Sequence, residues 1–141
     1  MIAARCDKKN KSLEKLSGQL VFLNVALMAL ERQQGGHPLW KQIHRSVQTI
    51  RATCAHTGLA DLERLASDLE DLVRLIRDEA VEQSSKLLAL VRRCAEMFEC
   101  GVDSARIGVP MSYEFEEVSF DLHQIRFIRL KRTWLRGAHR F

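Results

Sequence analysis

SLEKLSGQLVFLNVALMALERQQ, residues 12–34, places Leu13, Leu16, Leu20, Leu23, Leu27 and Leu30 at alternating spacings of three and four. That rhythm follows the helical turn and puts all six leucines on one side of a helix, the side that must leave water. Gln33-Gln34-Gly35-Gly36-His37-Pro38 ends the helix, because glycine supplies a left-handed exit and proline is tolerated in the first turn of the next one. Leu39 or Trp40, Ile43, Val47, Ile50 and Cys54 continue the spacing to about Ala55, and His56-Thr57-Gly58 breaks it. A third stripe, Leu62, Leu65, Leu69, Leu72 and Ile76, begins near Asp61. The fourth, Leu87, Val91, Cys94 and Phe98, is predicted to stop before Gly101. Four such stripes joined by short connections leave water most simply by facing one another, so the expected fold is all-α, an antiparallel four-helix bundle over residues 1–100.

Residues 101–141 form a C-terminal extension and not a separate domain. Val118, Phe120 and Leu122 alternate as in a strand, whereas Phe115, Val118, Leu122, Ile125 and Ile128 suit a helix, and the preferred reading is a further helix. The chain of 141 residues is 46% hydrophobic and 28% charged, the balance of a one-core globule, and its seven Gly and two Pro exclude a collagenous or loop-dominated protein. Cys6, Cys54, Cys94 and Cys100 make no CxxC pair and no cluster with histidine, so reduced thiols are expected, without a metal site or a disulfide framework. The longest apolar stretch, Leu20–Leu30, contains Asn24 and is about half of what a bilayer crossing needs. MIAARCDKKN lacks the apolar core of a signal peptide. The expectation is a cytoplasmic protein without a membrane partner.

Charge is unevenly distributed. Six of the 22 Lys and Arg (Arg126, Arg129, Lys131, Arg132, Arg136 and Arg140) lie in residues 123–141, which hold no acid; the remaining 16 face all 18 acids in residues 1–122, a net −2. A basic tail of this kind is usually a solvated terminus, although its field could draw nucleic acid, an anionic surface or an acidic protein.

On the second helix, residues three and four apart group His44, Gln48, Arg51, Ala52 and Ala55 on the polar face opposite the stripe. A polar centre, a cation one turn away and two small residues would let another protein approach closely. His37 and His56 fall in loop or turn positions where polar residues need no role. No spacing of His, Cys or carboxylates suggests metal ligands and no Gly-rich phosphate loop follows a strand, so neither a cofactor nor a nucleotide-dependent enzyme is expected.

Residues 39–78, LWKQIHRSVQTIRATCAHTGLADLERLASDLEDLVRLIRD, resemble the histidine-containing phosphotransfer (HPt) domain of chemotaxis-type histidine kinases. That family has a helix of the form R-x-x-H-T-[IL]-K-G-x-[AS], a turn ending in Gly-Leu, and a helix with L-E-x-L-A-x-x-L-E-D-L. The matching segments here are Arg45 to Cys54, Thr57-Gly58-Leu59, and Leu62 to Leu72. The similarity spans about residues 12–98 and needs no gap between the two motif helices.

The departures bear on function. Gln48 stands where the family carries its phosphorylated histidine. A neutral imidazole nitrogen is a nucleophile near pH 7, whereas an amide nitrogen has its lone pair delocalised into the carbonyl, so Gln48 cannot accept a phosphoryl group. Arg51 replaces a lysine and presents a fork in place of a point charge. Ala52 replaces a glycine. Glu70 matches the glutamate that orients the family's histidine, and Ser67 stands where a second histidine often occurs.

The resemblance therefore implies a non-enzymatic, pseudo-phosphotransfer signalling module. It would bind the receiver domain of a response regulator or a chemotaxis-type kinase through His44, Gln48, Arg51, Ala52, Ala55, Ser67 and Glu70. One alternative is a working phosphotransfer protein that uses His44, or whose native acceptor at position 48 has been replaced; against it stands the simpler reading of His44 as an exposed helix histidine. The other is a helical adaptor whose tail binds nucleic acid or an acidic partner.

Overall fold

The computed structural model describes residues 2–32, 36–78, 85–109, 116–122 and 124. Four long helices account for most of them: α1 (Ile2–Glu31), α2 (His37–Thr57), α3 (Ala60–Arg77) and α4 (Ser85–Ile107). A short helical segment follows at residues 116–122. The chain is an all-α bundle, as the four stripes imply. Leu13, Leu16, Leu23 and Leu27 of α1, Ile43, Val47, Ile50 and Cys54 of α2, Leu65 and Leu69 of α3, and Val91, Cys94 and Phe98 of α4 are all fully buried in one core.

Polar pairs across the helices show their direction. Arg106 donates to Ser17 Oγ (3.1 Å), Asn24 donates to Glu99 (2.7 Å), and Arg92 pairs with Glu31. Going up α1 thus means going down α4, in steps of seven residues on each helix, which keeps the pairs on one seam. α2 and α3 are antiparallel too, since Arg77 meets His44 while Glu70 meets Arg51. Their connection is as short as a helical hairpin allows. Gly58, at φ 76°, donates to the Ala55 carbonyl, and Leu59 donates to the Cys54 carbonyl, the paired bonds of a left-handed helix exit.

Two boundaries differ from expectation. α1 begins at Ile2 and not near Ser12, so Lys11 is a helical residue along with Lys15. α4 runs through Gly101 to Ile107 and crosses the expected division at residue 100. Gly101 does not stop the helix; it makes room for Leu62 of α3, since a Cβ there would lie 2.5 Å from Leu62 Cδ2. The true exit is Gly108, at φ 83°, whose N–H reaches the Ser104 carbonyl at 2.8 Å. Residues 116–122 are helical and not a strand, and they turn Val118 and Leu122 into the bundle core, with Asp121 paired to Arg93 of α4 (3.0 Å). The basic cluster of residues 126–140 lies outside the described residues.

Residues Lys8–Glu31 are long and apolar enough, by length and composition, to cross a membrane, and 39% of the most apolar 18-residue window within them is buried in the bundle. Its leucines are the ones spent on the core. Cys54 and Cys94 are also buried, and loss of solvation pushes both thiols up to about 12; Cys100 is exposed.

Candidate functional site

α2 carries Lys41, Arg45 and Arg51 and no acidic residue. Lys41, Gln48 and Ala55 lie seven residues apart and form the outward midline of the helix, and all three are exposed. Toward α3 this face turns through Arg51 to His44. Toward α1 it turns through Arg45 and Ala52 to His56.

The α3 side is built around Glu70. Its position one turn after Ala66 and one residue after Leu69 puts it at the edge of the apolar stripe, so the carboxylate is only 7% exposed yet faces the α2 surface. Oε2 accepts a hydrogen bond from Arg51 Nη1 at 2.8 Å, and Oε1 accepts one from the Gln48 amide at 3.2 Å. Burial raises the carboxyl's proton affinity, but the hydrogen bonds from Arg51 and Gln48, with the Arg51 charge, outweigh it and hold the group below the usual glutamate range. Glu70 is therefore an anion that fixes two exposed α2 side chains from beneath.

His44 departs from expectation. It is 6% exposed, because at one turn before Gln48 it points into the α2–α3 seam and not out to solvent. Arg77 Nη1 lies 3.2 Å from its Nδ1, and Glu70 Oε1 lies 3.9 Å from its Nε2, too far for a hydrogen bond. Nε2 is buried with no hydrogen-bond partner. Burial and the Arg77 charge both lower its pKa, so the ring is neutral at pH 7. A side chain so placed cannot itself touch a docking protein, and Glu70, whose oxygens are engaged by Gln48 and Arg51, acts through them. Among the residues expected to form the surface, Gln48, Arg51, Ala52 and Ala55 are exposed, Ser67 is half-buried on α3, and His44 and Glu70 lie beneath.

The α1 side adds residues that the sequence reading missed. Lys11, Ser12 and Lys15 of α1 line an open cavity of about 370 Å³ with Thr49, Ala52, Thr53 and His56 of α2. Thr49 and Thr53 donate their hydroxyl protons to the Arg45 and Thr49 carbonyls, leaving oxygen lone pairs but no donor toward the cavity. The two lysines are thus its positive groups. The signal that could have found them is the i, i+4 pair Lys11–Lys15, which belongs to a helix once α1 is extended to its true start.

The arrangement suits recognition of an acidic surface: exposed cations at Lys41, Arg45, Arg51, Lys11 and Lys15 stand around the uncharged Gln48, Ala52 and Ala55. It holds no activated nucleophile among the described residues, and no group of three His, Cys, Asp or Glu there is placed to hold a metal ion. Neither the protein-family models nor the curated proteins compared with this chain include a match to it.

Proposed function

We propose that this protein is a pseudo-phosphotransfer (HPt-like) module of a two-component system that binds the receiver domain of a response regulator or a chemotaxis-type kinase without accepting a phosphoryl group. The observation that carries this reading is the Glu70 arrangement. The resemblance makes Glu70 the residue that orients the acceptor, and here Glu70 holds Gln48, the residue in the acceptor's place, at 3.2 Å. The positional relationship is kept while the reactive atom is gone. A receiver domain offers an acidic pocket, and the all-cationic exposed charge of α2, extended by Lys11 and Lys15, complements it. Docking requires shape and charge but no transferable phosphate. Its consequence in a cell would be competition with active phosphotransfer proteins or scaffolding, in the cytoplasm where such partners reside.

His44 does not favour the rival reading of an active phosphotransfer protein. Arginine can only donate, so the Arg77 contact makes Nδ1 the acceptor and leaves the ring proton on the buried Nε2. Neither nitrogen then offers an accessible lone pair.

The test is a titration of the protein with receiver domains, comparing wild type with Arg51→Glu and Lys15→Glu. Saturable binding weakened at least about tenfold by each reversal is expected. Absence of binding to any receiver or chemotaxis-type kinase would sink the proposal.

A further inference from the structure

The face of α1 turned away from the bundle is apolar. Val21 is 61% exposed, Phe22 72%, Val25 59% and Met28 44%, and Gly18 has open space where a side chain would stand. Four large apolar side chains on one solvent-facing strip are more than single surface residues require, and such strips mark contact surfaces. Their surroundings indicate the occupant. Following one line along the helix, the order is Glu14, Gly18, Val21, Val25, Met28, Arg32, with the helical hydrogen bonding carried on to Arg32 by its N–H to the Met28 carbonyl at 3.1 Å. Glu14 closes one end, with Lys11 a turn beyond it, and Arg32 closes the other. Glu14 and Arg32 each stand nine residues from Leu23, roughly 13 Å along the axis in either direction.

This pattern is complementary to itself when reversed. We propose that α1 packs antiparallel on α1 of a second copy, about a two-fold axis passing beside Leu23. In that arrangement Glu14 of each copy faces Arg32 of the other, Val21 faces Val25, and Phe22 meets its own counterpart next to the axis. Gly18 leaves room for the longer Met28, as a close helix contact requires. A two-fold interface needs one patch that fits itself, and the equal spacing of opposite charges about an apolar centre supplies it. A parallel pairing would instead set Glu14 against Glu14 and Arg32 against Arg32. The strip lies on α1 beyond Lys11 and Lys15 and uses no residue of α2, so the inference is argued without the docking function.

Sedimentation equilibrium on the full chain tests it, with circular dichroism confirming that each variant folds; all substituted positions are exposed, so the bundle core is untouched. Wild type should be a dimer at micromolar concentration. Val25→Glu should raise the dissociation constant at least about tenfold by bringing carboxylates together near the axis. Glu14→Arg should weaken the dimer several-fold, and Glu14→Arg with Arg32→Glu should restore it, which only the antiparallel register allows. A monomeric wild type overturns the proposal. In that case, binding of an apolar dye that Phe22→Ser abolishes would leave the strip to a foreign partner or a lipid surface, and no dye binding would mean that the chain covers it itself. A dimer indifferent to Val25→Glu, or a double variant that is not rescued, overturns it equally.

Discussion

Arg77 on α3 donates from Nη1 to Nδ1 of His44 on α2 across 3.2 Å, and in doing so it decides the tautomer of a buried ring. The proton sits on Nε2, where no partner accepts it. An orphaned buried N–H is costly, and a second proton on the ring would be costlier beside the guanidinium.

The pH dependence follows from that pairing. The folded pKa of His44 lies below 6.5, its ordinary value, so the unfolded chain binds the proton first as pH falls. The contribution of this group to stability is complete above pH 6.5 and is lost as pH drops below it. His44→Asn, whose side-chain oxygen can still accept from Arg77, should abolish this part of the acid destabilisation. Urea denaturation of both proteins between neutral pH and pH 5 checks it; parallel curves would show that His44 is not the titrating group.

Glu70 acts in a lower window. Its folded pKa is held below the glutamate value of 4.5, so its stabilisation is present above that value and disappears as pH falls through the folded pKa. Glu70→Gln keeps an acceptor for Gln48 but removes the charge facing Arg51, which is half exposed and screened by water. A loss of about 1 kcal/mol at neutral pH is expected, with a flatter acid limb in the denaturation profile.

Gln48→His should place an imidazole above the Glu70 carboxylate, which can accept its N–H and leave the other nitrogen nucleophilic. Incubation with a phosphorylated receiver domain should then yield acid-labile, base-stable phosphate on the variant and none on wild type. Phosphate on wild type would show that another histidine accepts it, and its loss from wild type or the variant on His44→Asn would place the acceptor at His44 instead.

The glycines of α1 and α4 predict opposite responses to one methyl group. Gly101→Ala must displace Leu62, whose branch carbon and both methyls lie within 3.1 Å of the new Cβ. Crowding of about 1–3 kcal/mol should exceed the helix-propensity gain of about 1 kcal/mol, leaving a net loss. Gly18→Ala meets nothing within 4 Å inside the chain and should raise stability when measured at concentrations low enough for the monomer. Thermal denaturation of both variants reads the two signs directly.

Much of this architecture was legible in the heptad-like leucines, because a stripe with one face buried has few other places to go. The residues grouped by spacing on α2 do share a side of that helix, since Gln48, Arg51, Ala52 and Ala55 obey its geometry regardless of neighbours. What spacing could not give was depth. His44 and Gln48 are one turn apart on the same face, yet Arg77 and Glu70 of α3 cover His44 and leave Gln48 exposed. Gly101 failed for a related reason: a glycine in a helix reads as a terminator until a neighbouring helix is seen pressing on it. Lys11 escaped notice because the leucine stripe marks where α1 is buried and not where it starts, and Lys15, inside the stripe, because its cavity exists only once α2 packs alongside.

Cys54 and Cys94 sit on different helices, and burial holds both sulfurs in the unreactive thiol form. An alkylating reagent attacks the thiolate, so modification at either position must wait until water reaches the interior. The two sulfurs thus act as internal clocks, one on α2 and one on α4. If they are labelled at a common rate, the bundle opens as a unit; if α2 is labelled sooner, the helix that bears the cationic face works loose ahead of the rest.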